Sequence, residues 1–307
     1  MFYPFLRGRQ NELLALRELL DSDKLQNVTP IIEPVKASPT LLSTLEHFSE
    51  SGKEAILVEN PIVGSFAKEV DRDPDYRAKF EDVLAGYDHL IGMRYCGKGP
   101  SLDAISDHAT GKAFFLSMGK RSSYVEECAA NRPRYTIVPA VNQRLQRKAV
   151  GKKIALDSSY KPKNRNADYS EVEDDFLSEE LFYPDSDFAG FSDYSVIGDE
   201  YIEGGFMPKV VALHLVYADR EEEQLKVKHF LSPDDASKYD VGMKFHLALG
   251  KLVGWANINS HLVPETQGLN SMREIYDEGR FPGLGVAKKL ALKHHIEMVN
   301  KMIGEQE

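Results

Sequence analysis

The sequence predicts an α/β protein built on a TIM-like (β/α)8 barrel. Continuously apolar stretches, which are typical of strands covered on both faces, alternate with helical patterns along the chain. The strands recur at intervals of roughly 25 to 35 residues, which is the size of βα units, and eight of them fit a closed barrel. A doubly wound open sheet is the competing fold. The absence of a GxGxxG turn after the first predicted strand disfavours a dinucleotide-binding version of it.

The first elements are a helix and a strand. Apolar residues within 11–20 recur at helical spacing, with charged residues between them, and predict a helix. Residues 28–35 then form the first predicted buried strand. Ser38 and Pro39 mark the start of the next helix, and Gly52 marks its end.

The same unit then recurs. The remaining predicted strands are residues 55–61, 90–95, 113–118, 135–141, 154–158, 190–198 and 209–217. The predicted helices between them are residues 76–84, 101–108 with Ser101 as the cap, 122–130 and 143–149. A short strand at 227–231 and further segments at 240–255 and 286–303 follow. We therefore expect a barrel over residues 1–218, and an α-rich C-terminal extension over residues 219–307 that packs on it.

The segment after the sixth predicted strand is long and polar. Residues 158–188 mix lysines and arginine with many acids and show little hydrophobic periodicity. A compact domain rarely contains so long an irregular connection unless it is functional or disordered. Two interpretations are open, a lid over an active site and a solvated insertion.

Composition limits the cellular setting and the partners. The chain has 307 residues, 42% of them hydrophobic, and a net charge of −10, which disfavours nonspecific wrapping of nucleic acid. A basic run at residues 144–153 leaves a nucleic-acid partner open, although such runs usually face water. Cys96 and Cys128 lie in no metal-binding pattern. No signal peptide or membrane-spanning stretch is visible, so we expect a cytoplasmic protein without a membrane partner.

Polar residues at the ends of the predicted strands are the candidate catalytic groups, because barrel enzymes place their active sites at the carboxyl ends of the strands. These candidates are Glu33, Glu59, Asp157, Asp193 and His214. Opposed acids and bases in one concave site can act as general acid and base. Two or three of the carboxylates could instead bind a divalent cation such as Mg²⁺.

A second set of residues is predicted to bind substrate. These residues are Lys36, Asn60, Arg94, Lys120, Arg121, Asn142 and Lys161. Lys120 and Arg121 follow Gly119 at the start of a predicted helix, and a helix N-terminus with adjacent cations suits an anion. The expected ligand is therefore a small phosphorylated or otherwise anionic molecule.

Structural roles compete with these functional ones. Glu33 and Glu59 could form plain ion pairs, Asp157 and Asp193 could cap loops, and His214 could be a satisfied core histidine. None of the spacings is diagnostic. The HExxH, GxSxG and Walker motifs are all absent.

Several segments resemble a bacterial and phage family called the beta protein family. They are residues 3–13, 32–35, 192–194, 279–285 and 293–297. The resemblance implies a barrel-like fold and a link to mobile elements or phage defence, and it supplies no catalytic residues. It also draws attention to Arg7, Arg9, His294, His295 and Glu297. The arginines are expected to anchor the chain terminus, His295 to pack, and His294 to pair with a carboxylate.

Two functions follow as expectations. The first is a cytoplasmic barrel hydrolase or phosphodiesterase that acts on an anionic substrate, with a role in antiviral defence. The second is a non-catalytic sensor or binding subunit that works beside an effector protein in a phage-defence or mobile-element system.

Overall fold

A computed structural model of the chain describes residues 1–116, 130–179, 188–203, 209–234 and 240–305. The chain divides into two compact units. The barrel unit comprises Met1–Asp157 and Leu181–Asp193, and the C-terminal unit comprises Ser158–Glu180 and Tyr194–Glu307. This division differs from the boundary expected at residue 218, because the strand before that residue pairs with the strand after it.

Eleven strands lie in the described residues. They are β1 (Phe5–Leu6), β2 (Ile31–Ile32), β3 (Ala55–Val58), β4 (Leu90–Tyr95), β5 (Gly111–Phe115), β6 (Tyr135–Pro139), β7 (Lys152–Asp157), β8 (Asp175–Glu179), β9 (Phe188–Asp193), β10 (Ala212–Asp219) and β11 (Gln224–Leu231). The sheet of the barrel unit contains eight parallel strands in the order β1-β2-β3-β4-β5-β6-β7-β9. Phe2 bridges both Val28 and Phe191, and the Tyr3 amide donates to the Phe191 carbonyl at 2.9 Å, so the sheet closes on itself. The predicted TIM-like barrel is confirmed.

Two predictions about the barrel strands differ from the structure. The first barrel strand is β1, which was not predicted, because two hydrogen-bonded residues beside Arg7 and Gly8 leave no period-two pattern. The strand predicted at 209–217 was assigned to the barrel, and this assignment is wrong. It forms β10, which pairs antiparallel with β11 over its whole length.

Six α-helices lie in the described residues of the barrel unit, and side chains cap three of them. They are α1 (Gln10–Asp21), α2 (Pro39–Glu50), α3 (Phe66–Arg72), α4 (Pro74–Ala85), α5 (Asp103–His108) and α6 (Gln143–Lys148). Ser38 Oγ accepts the Leu41 amide hydrogen at 3.2 Å and so caps α2 as predicted. Ser101 does not cap α5, because Leu102 occupies the N-cap position. The helix predicted at 122–130 lies almost entirely outside the described residues.

Aromatic contacts across the barrel identify its inner face. The ring centroids of Tyr3 on one side and Tyr135 on another are 5.6 Å apart, and Tyr95 lies 5.3 Å from Phe115 and 6.5 Å from Phe5. Side chains alternate along a strand, so every second residue from these positions also points inward. The inner face is therefore a packed core whose polar residues are concentrated where the strands end.

The C-terminal unit is a three-stranded antiparallel sheet with helices. The strand order is β10-β11-β8, and the described helices are α7 (Val241–Ile258), α8 (Gln267–Asp277) and α9 (Leu284–Gly304). Apolar residues of β10 and of the three helices form one buried core. The predicted irregular segment 158–188 thus contributes β8 to a sheet, and its role as a lid stays a prediction. Among the described residues, no helix is both long enough and apolar enough to cross a membrane.

Candidate functional site

The carboxyl ends of the barrel strands bring four polar residues together. We call them the mouth cluster: Arg7, Glu33, Asn60 and Tyr95. Register places Phe5 beside Ile31 and Leu6 beside Ile32, so Arg7 and Glu33 are the next neighbours on the inner face. Barrel enzymes carry out their chemistry at this end.

Glu33 is the centre of this cluster. Its side chain is fully buried, and it forms an ion pair with Arg7. The Tyr95 hydroxyl donates to the same carboxylate oxygen at 2.8 Å, and the Ile62 amide donates to the other at 2.7 Å. Three donors therefore orient one carboxylate, and charge-assisted bonds of this kind are the strong ones.

Arg7 connects the cluster to the first helix. Its guanidinium lies over the Phe5 ring, 5.4 Å from the centroid, and its backbone amide donates to Glu12 at 2.7 Å. Burial raises the pKa of Glu12 to about 7, against the lowering effect of Arg9 and Arg7. These two contacts therefore keep the charged Arg7 side chain in a fixed position.

Asn60 and Tyr95 connect β3 to β4 beyond the last paired residues. Asn60 Oδ1 accepts the Tyr95 amide hydrogen at 2.8 Å, and Asn60 Nδ2 donates to the Tyr95 carbonyl at 3.1 Å. This two-bond clamp positions the Tyr95 hydroxyl against Glu33. Tyr95 was not among the predicted site residues, although its place at the end of a predicted strand was the signal that could have identified it.

Glu59 lies apart from the mouth cluster. A side chain at Gly92 would meet the Glu59 carboxyl carbon at 3.1 Å and the Ala109 Cβ at 3.0 Å, so Glu59 lies over the outer face of β4, beside α5. Burial raises the pKa of Glu59, while a hydrogen bond from Ser101 and the charge of Arg94 lower it. Strand alternation places Arg94 on the same outer face, one residue before Tyr95.

Asp157 and Asp193 are neighbours of each other. They are register partners on β7 and β9, and both are buried. Adjacent strands lie about 4.8 Å apart, so the two carboxylates are close. Leu156 and Ser192, one residue earlier, face inward by alternation, which places the two acids on the outer face. The structure thus separates this pair from Glu33.

Ser192 adds an unusual group to the inner face. It is fully buried, and its hydroxyl has no hydrogen-bond partner among the described residues. A buried hydroxyl without a partner is costly and marks a place where a ligand or a water molecule can bind.

Of the predicted substrate-binding residues, Asn60 lies in the mouth cluster, and the others do not. Lys36 is exposed and Arg94 is partly exposed. Asn142 caps α6 by accepting the Leu145 amide hydrogen at 3.1 Å. Lys161 belongs to the C-terminal unit, where it forms an ion pair with Asp199. Lys120 and Arg121 lie outside the described residues.

His214 was expected at the end of the eighth barrel strand, and the structure places it elsewhere. It lies on β10 of the C-terminal unit, opposite His229 on β11. The two Nδ1 atoms are 2.8 Å apart, and His229 Nε2 is 3.1 Å from Asp175 Oδ2. Neither His229 nor Asp175 was predicted as a site residue, because antiparallel pairing alone brings them to His214.

The two histidines of α9 have structural partners. His294 Nδ1 is 2.7 Å from Thr266 Oγ1 and its Nε2 is 2.9 Å from the Val216 carbonyl, so the expected carboxylate partner is wrong. His295 is buried, and its Nδ1 is 2.7 Å from Ser195 Oγ. Burial lowers the pKa of His295 to about 3. Such contacts anchor α9 within its unit.

No protein-family model matches the chain, and no curated protein matches it. The resemblance to the beta protein family therefore stays a prediction from the residues that carry it. Among the described residues, no group of three or more histidine, cysteine or acidic side chains is arranged to hold a metal ion.

Proposed function

We propose that the barrel unit is a hydrolase that acts on a phosphate-bearing or other anionic substrate at the mouth cluster. The observation that carries the proposal is the buried Arg7–Glu33 pair with the Tyr95 hydroxyl, at the carboxyl end of a closed barrel. Burying ionisable groups inside a barrel costs folding free energy unless the groups are paired and hydrogen-bonded. Groups with perturbed pKa values are concentrated at active sites.

Each residue has a role in this proposal. Glu33 accepts the proton of the attacking water, and its orientation by Tyr95 keeps the carboxylate oxygen in one place. Arg7 carries a positive charge at the mouth cluster, and this charge stabilises negative charge that develops on the substrate. The Asp157 and Asp193 carboxylates, which strand alternation places on the outer face, are not part of this site.

Hydrolysis of p-nitrophenyl phosphate and bis-p-nitrophenyl phosphate, with and without Mg²⁺, tests the proposal. Glu33→Gln keeps the shape and removes the base, so turnover should fall by about 100-fold or more. Asp82→Asn is the control, because Asp82 is exposed on α4. Tyr95→Phe keeps the ring contacts with Phe5 and Phe115 and should give an intermediate loss. Equal turnover in wild type and Glu33→Gln, both folded, would contradict the proposal.

A second function is favoured by one observation. Both oxygens of Glu33 already accept hydrogen bonds from Arg7, Tyr95 and Ile62, as in an ion pair whose role is architectural. The barrel would then be a non-catalytic sensor or binding subunit that acts beside an effector protein. In that case Glu33→Gln changes stability and ligand binding, and no hydrolysis is seen with any substrate.

A role in phage defence rests on the sequence resemblance alone. Plaque counts on cells that express the wild type, Glu33→Gln or Asp82→Asn test it. Protection that the wild type and Asp82→Asn provide and Glu33→Gln loses would support a defence role for the mouth cluster. Equal plaque counts with and without the wild-type gene would contradict a defence role.

A further inference from the structure

Three side chains in the C-terminal unit form a continuous hydrogen-bonded line. His214 and His229 face each other in register on β10 and β11, and Asp175 lies on β8, on the other side of β11. The separations are 2.8 Å between the two Nδ1 atoms and 3.1 Å between His229 Nε2 and Asp175 Oδ2. We call these three residues the relay.

The relay determines where its protons lie. An ionised carboxylate only accepts, so His229 carries its hydrogen on Nε2 and donates it to Asp175. Burial lowers the pKa of both histidines, that of His214 to about 3, so each is neutral at pH 7 and carries one ring hydrogen. The Nδ1 of His229 must then accept, and the Nδ1 of His214 must donate. The Nε2 of His214 is therefore left as an unprotonated base.

The surroundings hold this base in place and leave it reachable. The Tyr169 ring packs against both imidazoles, with centroids 4.6 Å from His214 and 4.5 Å from His229. His229 is 1% exposed, whereas His214 keeps partial exposure. Within the described part of the chain, no hydrogen bond engages Nε2 of His214.

Nearby charge indicates the kind of molecule that fits. The Lys288 side chain is exposed, and its charge acts on His214 from α9. The charges of Asp175 and Asp174 raise the pKa of His229, and the charge of Lys163 lowers it. A positive charge that acts on the His214 ring favours a substrate that carries negative charge.

We propose that the relay is a second chemical site, in which Nε2 of His214 is the general base for a water or hydroxyl group beside an anionic substrate. The proton moves from that oxygen to Nε2 of His214, and the hydrogen on Nδ1 of His214 moves to Nδ1 of His229. His214 is then neutral again, and the new positive charge lies on His229, where the Asp175 carboxylate stabilises it. This site is independent of the mouth cluster and of the function proposed for it.

Two measurements on the full chain test the relay. Nitrogen-15 NMR of histidine-labelled protein gives the tautomers directly, and it should show His214 protonated on Nδ1 and His229 on Nε2. Acylation by diethyl pyrocarbonate, followed by peptide mass spectrometry, gives the reactivity of each ring. His214 should react at least as fast as the exposed His261, while the buried His294 stays unmodified.

Asp175→Asn separates a relay from a structural pair. It removes the charge that supports His214 and should slow His214 acylation by up to about tenfold, the change that accompanies one pKa unit. The rate at His261 should not change. Asp174→Asn is the comparison variant, because Asp174 hydrogen-bonds Tyr217 and Lys228 and reaches His229 only through its charge, so it should slow His214 acylation less than Asp175→Asn does.

Inorganic phosphate tests the anionic class. It should slow His214 acylation in the wild type and have no effect in Lys288→Ala. An Nε2–H tautomer at His214, or a His214 rate that is unchanged in Asp175→Asn, overturns the relay. If phosphate does not slow His214 acylation in the wild type, the proposal of an anionic substrate is wrong. Because hydrolysis at the mouth cluster is lost in Glu33→Gln and not in Asp175→Asn, failure of either proposal can be recognised separately.

Discussion

Removing the Glu33 carboxylate should destabilise the barrel unit more than most single substitutions do. Glu33→Ala takes an acceptor from three buried donors, which are the Arg7 guanidinium, the Tyr95 hydroxyl and the Ile62 amide. A buried charge that loses its partner costs about 3 to 5 kcal/mol. Each neutral donor left unsatisfied costs a further ~1 to 3 kcal/mol, and these losses overlap because water and neighbours relax. We expect a loss on the order of 5 kcal/mol, against a total stability of about 5 to 15 kcal/mol.

A double variant isolates the charge from the packing. Arg7→Met with Glu33→Leu replaces the ion pair by apolar groups of similar volume, and such exchanges are often neutral or stabilising. The double variant removes the unpaired charge but still leaves the Tyr95 hydroxyl and the Ile62 amide without an acceptor, so we expect a loss of about 2 kcal/mol or more that is smaller than the loss in Glu33→Ala. Glu46→Ala is the control for removing a glutamate, because Glu46 is exposed on α2.

The assay must report on each unit by itself, because a chain with two units need not unfold in one step. The single tryptophan, Trp255, lies in the C-terminal unit, so its fluorescence follows that unit during urea unfolding. Hydrogen exchange of the peptides that contain β2 and β4 follows the barrel unit. If Glu33→Ala costs less than about 1 kcal/mol in those peptides, or if the double variant is no better than the single one, the pair does not hold the barrel as we argue.

Three further substitutions test separate features. Gly64 has a φ of +75°, and a Cβ there would lie 2.8 Å from Val35 Cα. Gly64→Ala should therefore lower the free energy of unfolding of the barrel unit by about 2 kcal/mol or more, which its urea midpoint would show. The folded-state pKa of Glu12 is raised to about 7, so Glu12 is protonated in the folded state and ionised in the unfolded state across pH 4.5–7. Stability should thus fall by up to about 3 kcal/mol as pH rises through that window, and Glu12→Gln, compared in unfolding titrations at several pH values, should remove this fall. Gly92→Ala should displace the Glu59 side chain and leave Glu33 in place, which crystal structures of the wild type and of Gly92→Ala would show. A Glu59 side chain that does not move would contradict its placement over the outer face of β4.

Much of the barrel could be predicted because its signals are local. The run at residues 90–95 matches β4, and Ser38 with Pro39 marks the start of α2. The position of Glu33 after a buried strand, and so at the carboxyl end of the barrel, was predictable for the same reason. These features depend on residues that are close together in sequence.

Other features depend on pairing across the chain. His214 lies in an apolar strand that a local pattern cannot assign to one sheet or another, and only its pairing with β11 placed it beside His229. Likewise, Glu59 follows a barrel strand as expected, and Asp193 ends β9 rather than lying near the start of a strand, yet strand parity turns both to the outer face, away from Glu33. A shift of one residue reverses the face that a side chain occupies, so a prediction with boundaries uncertain by a residue or two cannot decide it.

The amino-acid order alone determined that βα units repeat, that their strands are buried on both faces, and that acids follow several of them. Only the folded chain decided which acids meet. Contacts such as Arg7 with Glu33, or His214 with His229, join residues on different strands. Their geometry depends on register and on strand closure, and both are set by the packing of the whole unit rather than by any one segment.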